Sequence, residues 1–391
     1  MKICGRFLRF VLLMAVSYAV VYRLLWPLTF NAIGLSADGK NKTSYVFPPT
    51  NRPKNKPEQP DEDELNGFIY LVQTSKCLPK HFLNEEYFGN KTLCECSVIV
   101  LSFRERCQYS PLPPHIQYEY IKNISWTRGR NFLVQRAKEQ NNNYQYYVLL
   151  DDDIRLSFND FTPKYMKNTS PLRAFETFLK QHEPAIGVTD YDVHHGAKII
   201  VSKRKKLCKN SGAEKPLYLP TVHFDASFNA FHYKTLDYLL PYITTYDNQC
   251  WWHAQRYLIA KAEIIFRGQS VLFAPVHTSN PVHSEYPKDD RNSQQIWSFF
   301  VDTITEEVPR QYRNESFLRE FKKDPKHYTE NSLTVCLDLP AHTRIEPFQH
   351  FYWRFGWDKL IRISYFFICW NFYLVNVHIL IHTKQFGYQE N

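Results

Sequence analysis

The segment Tyr146-Tyr147-Val148-Leu149-Leu150-Asp151-Asp152-Asp153 constrains this chain more than any other. An apolar run rich in strand formers stops at three consecutive carboxylates. A run without polar alternation is the pattern of a strand covered on both faces, as in a parallel sheet. Three adjacent Asp residues resist burial, so they mark where the strand leaves the interior for solvent or a cleft. Clustered carboxylates suit hard cations such as Mg²⁺ or Mn²⁺, which take oxygen ligands. The same three residues also read as an acidic turn after a strand.

The surroundings favour an α/β domain. Strands are expected at Gly67 to Gln73, Cys96 to Phe103 and Ile116 to Ile121, and a helix over Phe132 to Gln140 with Thr127 as a possible cap. Strand, helix, strand in that order implies parallel pairing, and ligands in such sheets sit at the carboxyl ends of the strands. Further on, the pattern predicts a helix over Pro171 to His182, a strand over Ala185 to Thr189 and an extended segment over Thr221 to Tyr233. It then predicts a helix over Gln249 to Ala262, strands at Glu263 to Phe266 and Val271 to Val276, and a helix over Gln294 to Thr305. The basic run Lys203 to Lys206 reads as a solvated loop.

The N-terminus reads as a membrane anchor. Lys2, Arg6 and Arg9 precede an apolar stretch that continues, past Arg23, to Gly34, close to the ~20 residues a span needs. The expected division is a cytosolic tail 1–9, a signal anchor 10–34, a disordered stem 35–64 rich in Pro, Asn and Lys, a catalytic domain 65–310 and an accessory region 311–391. The apolar segment 361–381 within the last is either a buried helix or a second membrane element. The basic flank places the remainder on the lumenal side. Sequons at Asn41, Asn90, Asn123, Asn168 and Asn314 agree with a secretory route, as do Cys77, Cys94, Cys96 and Cys107, which allow two disulfides in three connectivities. Cys94-Glu95-Cys96 lacks the ligand spacing of a zinc site. A net charge of +9 points to an anionic donor or acidic glycan, since a lumenal protein would not meet nucleic acid.

The anchor, the stem and the strand ending in Asp151-Asp152-Asp153, preceded one unit earlier by Thr127-Arg128-Gly129-Arg130-Asn131, resemble a type II membrane glycosyltransferase of the GT-A superfamily over about Gly67 to Pro287. The resemblance implies a Rossmann-type mixed sheet flanked by helices. It also implies a Golgi (or ER) lumenal enzyme that moves a sugar from a nucleotide-sugar donor, a UDP-sugar by expectation, to a glycan or glycoprotein hydroxyl with inversion. Ser102, Arg104, Arg128, Arg130, Asn131, Asp151 and Asp152 would face the nucleotide. Asp153, with Asp151 and a late His, would hold Mn²⁺ or Mg²⁺. His283 is preferred over His277 for that late ligand, and a cluster of His194 and His195 with Asp190 and Asp192 is set aside as a loop. In "YDNQCWWHAQRYL", Asp247 would be the general base or merely a helix N-cap. Asp225 is the other candidate base, and Trp251 and Trp252 would receive the acceptor. Two rivals remain: a metal-dependent phosphatase, disfavoured by Arg155, and a non-catalytic carbohydrate-binding protein on the same scaffold.

Overall fold

The computed structural model describes residues 65–108, 113–140, 143–191, 217–222, 224–281, 291–323 and 345–348. All belong to one compact unit, Gln59–Asn391. The anchor, the stem, Asn41, Lys203 to Lys206, His194, His195, His283 and the segment 361–381 lie outside these residues. Among the described residues no helix is long and apolar enough to cross a membrane.

The first half builds parallel strands. β1 (Asn66–Thr74) alternates Phe68, Tyr70 and Val72 on one face with Ile69 and Leu71 on the other, and all five are buried. Both faces are therefore covered, as continuous apolar strands require. A short helix α1 (Lys91–Cys94) leads into β2 (Cys96–Ser102), which pairs parallel to β1, and β3 (Ile116–Tyr120) adds outside it. α2 (Trp126–Glu139) returns the chain to β4 (Tyr144–Asp151), which pairs parallel to β1 on its other side. The direction of winding thus reverses between β1 and β4. In open α/β sheets this switch point is where ligands bind.

The second half turns the sheet mixed. After β5 (Arg155–Phe158) and α3 (Pro171–His182) come β6 (Ile186–Tyr191), β7 (Tyr218–Pro220), β8 (Phe228–His232), α4 (Leu236–Leu239), α5 (Trp252–Ile265) and β9 (Ser270–Ser279). Among the described residues the strand order is β3-β2-β1-β4-β8-β6-β9-β5, with β7 also on β9. β8 runs antiparallel to β4 and β6, while β6 and β9 are parallel. One face packs Leu133, Val134 and Ala137 of α2 and Leu258 and Ile259 of α5; the other packs Phe175 and Phe178 of α3.

Several expectations are corrected. α2 begins at Trp126, and its N-cap is Ser125, which accepts from the Arg128 N–H; Thr127 sits inside the first turn. Glu263 to Phe266 is no strand: α5 runs on to Ile265, with Ile264 and Ile265 buried and Glu263 paired to Arg267 one turn later. Among the described residues of the extended segment 221–233, the strand is Phe228–His232, preceded by a turn in which Asp225 accepts from the Ser227 N–H at 2.8 Å. The core also continues past residue 310. After α6 (Ser293–Glu307), α7 (Glu315–Lys323) buries Phe317, Leu318 and Phe321 in it, and Phe348 N–H donates to the Ile265 carbonyl at 2.7 Å. The accessory region expected from 311 therefore begins inside the packed domain.

Candidate active site at the carboxyl end of the fourth strand

Asp151 ends β4 in register with Gln73 of β1, and its N–H donates to the Ser227 carbonyl at 2.9 Å. Its Oδ1 accepts from Arg130 Nη2 at 2.6 Å and from Trp126 Nε1 at 3.4 Å. The Arg130 guanidinium lies over the Trp126 ring at 4.2 Å. Burial pushes the Asp151 carboxyl upward, and the adjacent guanidinium pulls against it. Burial opposes the charge on Arg130, but Asp151 and the neighbouring Tyr242 hydroxyl outweigh it and raise its pKa. The resemblance put Arg130 on the donor phosphates. Its side chain is 2% exposed, so it acts on Asp151 instead.

Asp152 is held at the switch point itself. Its carboxylate lies beside the Thr74 hydroxyl and hydrogen-bonds the Ser75 backbone, and its pKa is raised by burial despite these contacts. Thr74 ends β1, and Ser75 opens a loop fastened by the Cys77–Cys107 disulfide, which joins the segments leaving β1 and β2. The second bridge is Cys94–Cys96, so one of the three possible connectivities is selected. The Cys77 bridge spans 30 residues, for which loop-closure arguments give about 3.6 kcal/mol. A Cys77→Ser/Cys107→Ser variant is expected to lose about that much stability in chemical denaturation, compared with wild type under non-reducing conditions.

Asp153 is the least committed of the three. Burial, with Asp151 and Asp152 close by, pushes its carboxyl up to about 6, against a hydrogen bond from the Asn280 side chain. Asn280 Oδ1 is buried and, among the described residues, has no hydrogen-bond donor. A carboxylate and an amide oxygen side by side are the hard donors that Mg²⁺ or Mn²⁺ takes. Among the described residues no three His, Cys, Asp or Glu side chains gather as a ready ligand set. His283 follows Asn280 by three positions. His277 instead turns Nδ1 toward Asp190, at 3.7 Å.

Asp225 is half-buried, and its charge acts on Asp151, which places it beside the acidic cluster. Other expected contacts are spent within the fold. Ser102 Oγ donates to the Glu119 carbonyl at 3.2 Å. Asn131 bridges to the Tyr242 backbone in both directions, donating to its carbonyl at 2.8 Å and accepting from its N–H at 2.7 Å. Arg104 and Arg128 stay exposed at this end of the sheet. Trp251 packs at 4.5 Å on Trp126, and the Arg256 guanidinium covers Trp252 at 4.9 Å. Asp247 caps no helix of its own, since the N-cap of α5 is Trp251. Its carboxylate accepts from the hydroxyls of Ser125 and Thr127 at the start of α2. Of the sequons, Asn123, Asn168 and Asn314 are exposed, while the Asn90 side chain accepts from the Thr92 N–H. Trp126, Tyr242, Thr74 and Asn280 escaped the sequence reading, although Trp126 and Asn280 adjoin segments singled out there.

No protein-family profile matches the chain, and no curated protein does. Among solved structures, S. aureus TarS 1-349 in complex with UDP is similar at 9% identity and a TM-score of 0.38, over 67% of this chain and 74% of that one. GalNAc-T7 with UDP, GalNAc and Mn²⁺ is similar at 12% identity and a TM-score of 0.35, over 69% of this chain and 56% of that one. A197 from STIV is similar at 8% identity and a TM-score of 0.30, over 56% and 87%. All three TM-scores lie below 0.5, and the chemistry below rests on this chain's own residues.

Proposed function

We propose that this chain is a glycosyltransferase that moves a sugar from a nucleotide-sugar donor, a UDP-sugar by class, to a glycan or glycoprotein hydroxyl. The observation that carries the proposal is the placement of Asp151, Asp152 and Asp153 at the sheet's switch point, with the first two fixed by Arg130 and Ser75 and the third presented beside Asn280 Oδ1. Asp153, Asn280 and His283 would hold Mn²⁺ or Mg²⁺. Once bound, such a cation would offset the negative charge of the donor's diphosphate. Exposed Arg128 and Arg104 supply further positive charge on the same side. Asp225 takes the proton from the acceptor hydroxyl as its oxygen bonds to the anomeric carbon and the bond to the diphosphate oxygen breaks, which inverts that centre. A membrane anchor at 10–34 and a stem at 35–64 would place the domain in the Golgi or ER lumen.

Full-length protein should be heated with a panel of nucleotide sugars and Mn²⁺. One donor is expected to raise the unfolding temperature and to be consumed when acceptor glycans are added. No stabilisation by any donor would defeat the proposal. Release of phosphate from monoesters would replace it with a phosphatase, and glycan binding without donor consumption with a carbohydrate-binding protein.

A further inference from the structure

We infer that Asp247 is a positioning residue, a carboxylate latch that closes the 241–251 loop onto α2 and thereby sets the geometry of Asp151. This rests on the proposed transferase reading and reassigns the residue that motif resemblance puts forward as the base.

The latch begins with a long-range contact. Asp247 Oδ2 accepts from Ser125 Oγ at 2.5 Å, and Oδ1 accepts from Thr127 Oγ1. These partners lie 122 and 120 positions away in the sequence. Arg128 Nε stands 3.9 Å from Oδ2. The carboxylate is 8% exposed and sits over the first turn of α2, where helix N–H groups favour an anion. Ser125 is a node: it caps α2, gives its hydroxyl to Asp247, and accepts at its carbonyl from Gln73 Nε2 at 3.3 Å. Gln73 is the register neighbour of Asp151.

A second tie runs through Asn131, which bridges both ways to the backbone of Tyr242 at the other end of the loop. The same loop delivers Trp251 against Trp126 and Tyr242 edge-on to the same indole at 5.3 Å. Trp126 in turn donates to Asp151 and carries the Arg130 guanidinium on its ring. The order of contacts is Asp247, α2 start, Trp126 with Arg130, Asp151. A general base must be within hydrogen-bond reach of the acceptor hydroxyl. Both oxygens of Asp247 are instead occupied by protein hydroxyls.

Three variants of the full-length protein test this: Asp247→Ala, Asp247→Asn and Ser125→Ala/Thr127→Val. The Asn side chain keeps one acceptor oxygen, and its amide can donate to the other hydroxyl oxygen, but it cannot take a proton. Each variant is scored by transfer kinetics and by the exciton couplet of the Trp126–Trp251 pair in circular dichroism, assigned by its loss in Trp251→Phe. Asp247→Asn is expected to retain the couplet and kcat within about fivefold. Asp247→Ala and the double variant should both lose the couplet and fall on the order of 10²-fold in kcat, with KM for donor changing less. A base would give the reverse: Asp247→Asn losing roughly 10²–10⁴-fold with its couplet intact, and the double variant fully active. That result overturns the latch, as does an unchanged couplet in Asp247→Ala. If the wild type transfers nothing, the transferase reading fails, while the couplet still decides whether Asp247 closes the loop.

Discussion

Asp153→Asn is expected to cut sugar transfer by about 10³-fold, roughly 4 kcal/mol of transition-state stabilisation, while making the protein no less stable. Loss of activity follows because Asp153 lies beside Asn280 and, among the described residues, has no guanidinium or ammonium partner, whereas Arg130 occupies Asp151. The stability half follows from the same crowding. In the folded chain burial and the two neighbouring carboxylates raise the Asp153 carboxyl to about 6, above its unfolded value. The folded state therefore keeps that proton to higher pH than the unfolded one. Stability falls as pH climbs from about 4 to 6, and the full cost is present at pH 7. Asparagine removes the charge and can still hydrogen-bond Asn280. Because the group is partly exposed, solvent screening reduces the gain to about 1 kcal/mol. Initial rates with saturating donor, and thermal unfolding at pH 5 and pH 7 without added metal, check both halves. A variant that is inactive and clearly less stable at pH 7 would assign Asp153 to the scaffold instead.

The strands around that residue were readable because their signals are local. Phe68 to Val72, Val98 to Leu101 and Tyr146 to Leu150 are apolar at every position, which is how a doubly covered strand reads. The carboxyl-end placement of Asp151 to Asp153 followed from the point where that run stops. α3 was legible over Pro171 to His182, and the structure adds Ser170 as its cap ahead of a proline in the first turn. The bounds of α2 and α5 were misread because tertiary contacts override local signals. Trp126 enters the helix because its indole packs on Trp251 and Tyr242, and Glu263 stays helical because Arg267 answers it from inside the core. The same reason divided the site residues. A sequence shows that Arg128, Arg130 and Asn131 are polar and adjacent, but helical geometry sends them to different places. Arg128 reaches solvent, Arg130 goes under Trp126, and Asn131 meets a loop 111 positions away. Ser102 and Asp247 were likewise ambiguous until the donors and acceptors opposite them were in place.

The helix that runs past its expected end leads to the other large effect. Glu263→Ala is expected to destabilise the fold by about 3–5 kcal/mol, a large part of the 5–15 kcal/mol that holds an ordinary domain together. Glu263 and Arg267 form an ion pair one helical turn apart, with side chains 2% and 0% exposed. The Arg267 guanidinium also lies over the Phe317 ring of α7 at 4.2 Å. The pair therefore joins the end of α5 to a helix beyond residue 310. Removing the carboxylate takes the Glu263 oxygens away from a fully buried guanidinium, and that loss of compensation for desolvation, rather than the attraction itself, sets the magnitude. The two residues must then be strongly non-additive. Glu263→Leu/Arg267→Met, which removes both charges and keeps the volume, should recover most of the loss. Chemical denaturation of the single and double variants measures the coupling. If the double variant is as unstable as the sum of its singles, the two side chains are not coupled, and the ion pair does not set the stability of this corner. Each residue would then act through packing of its own between α5 and Phe317.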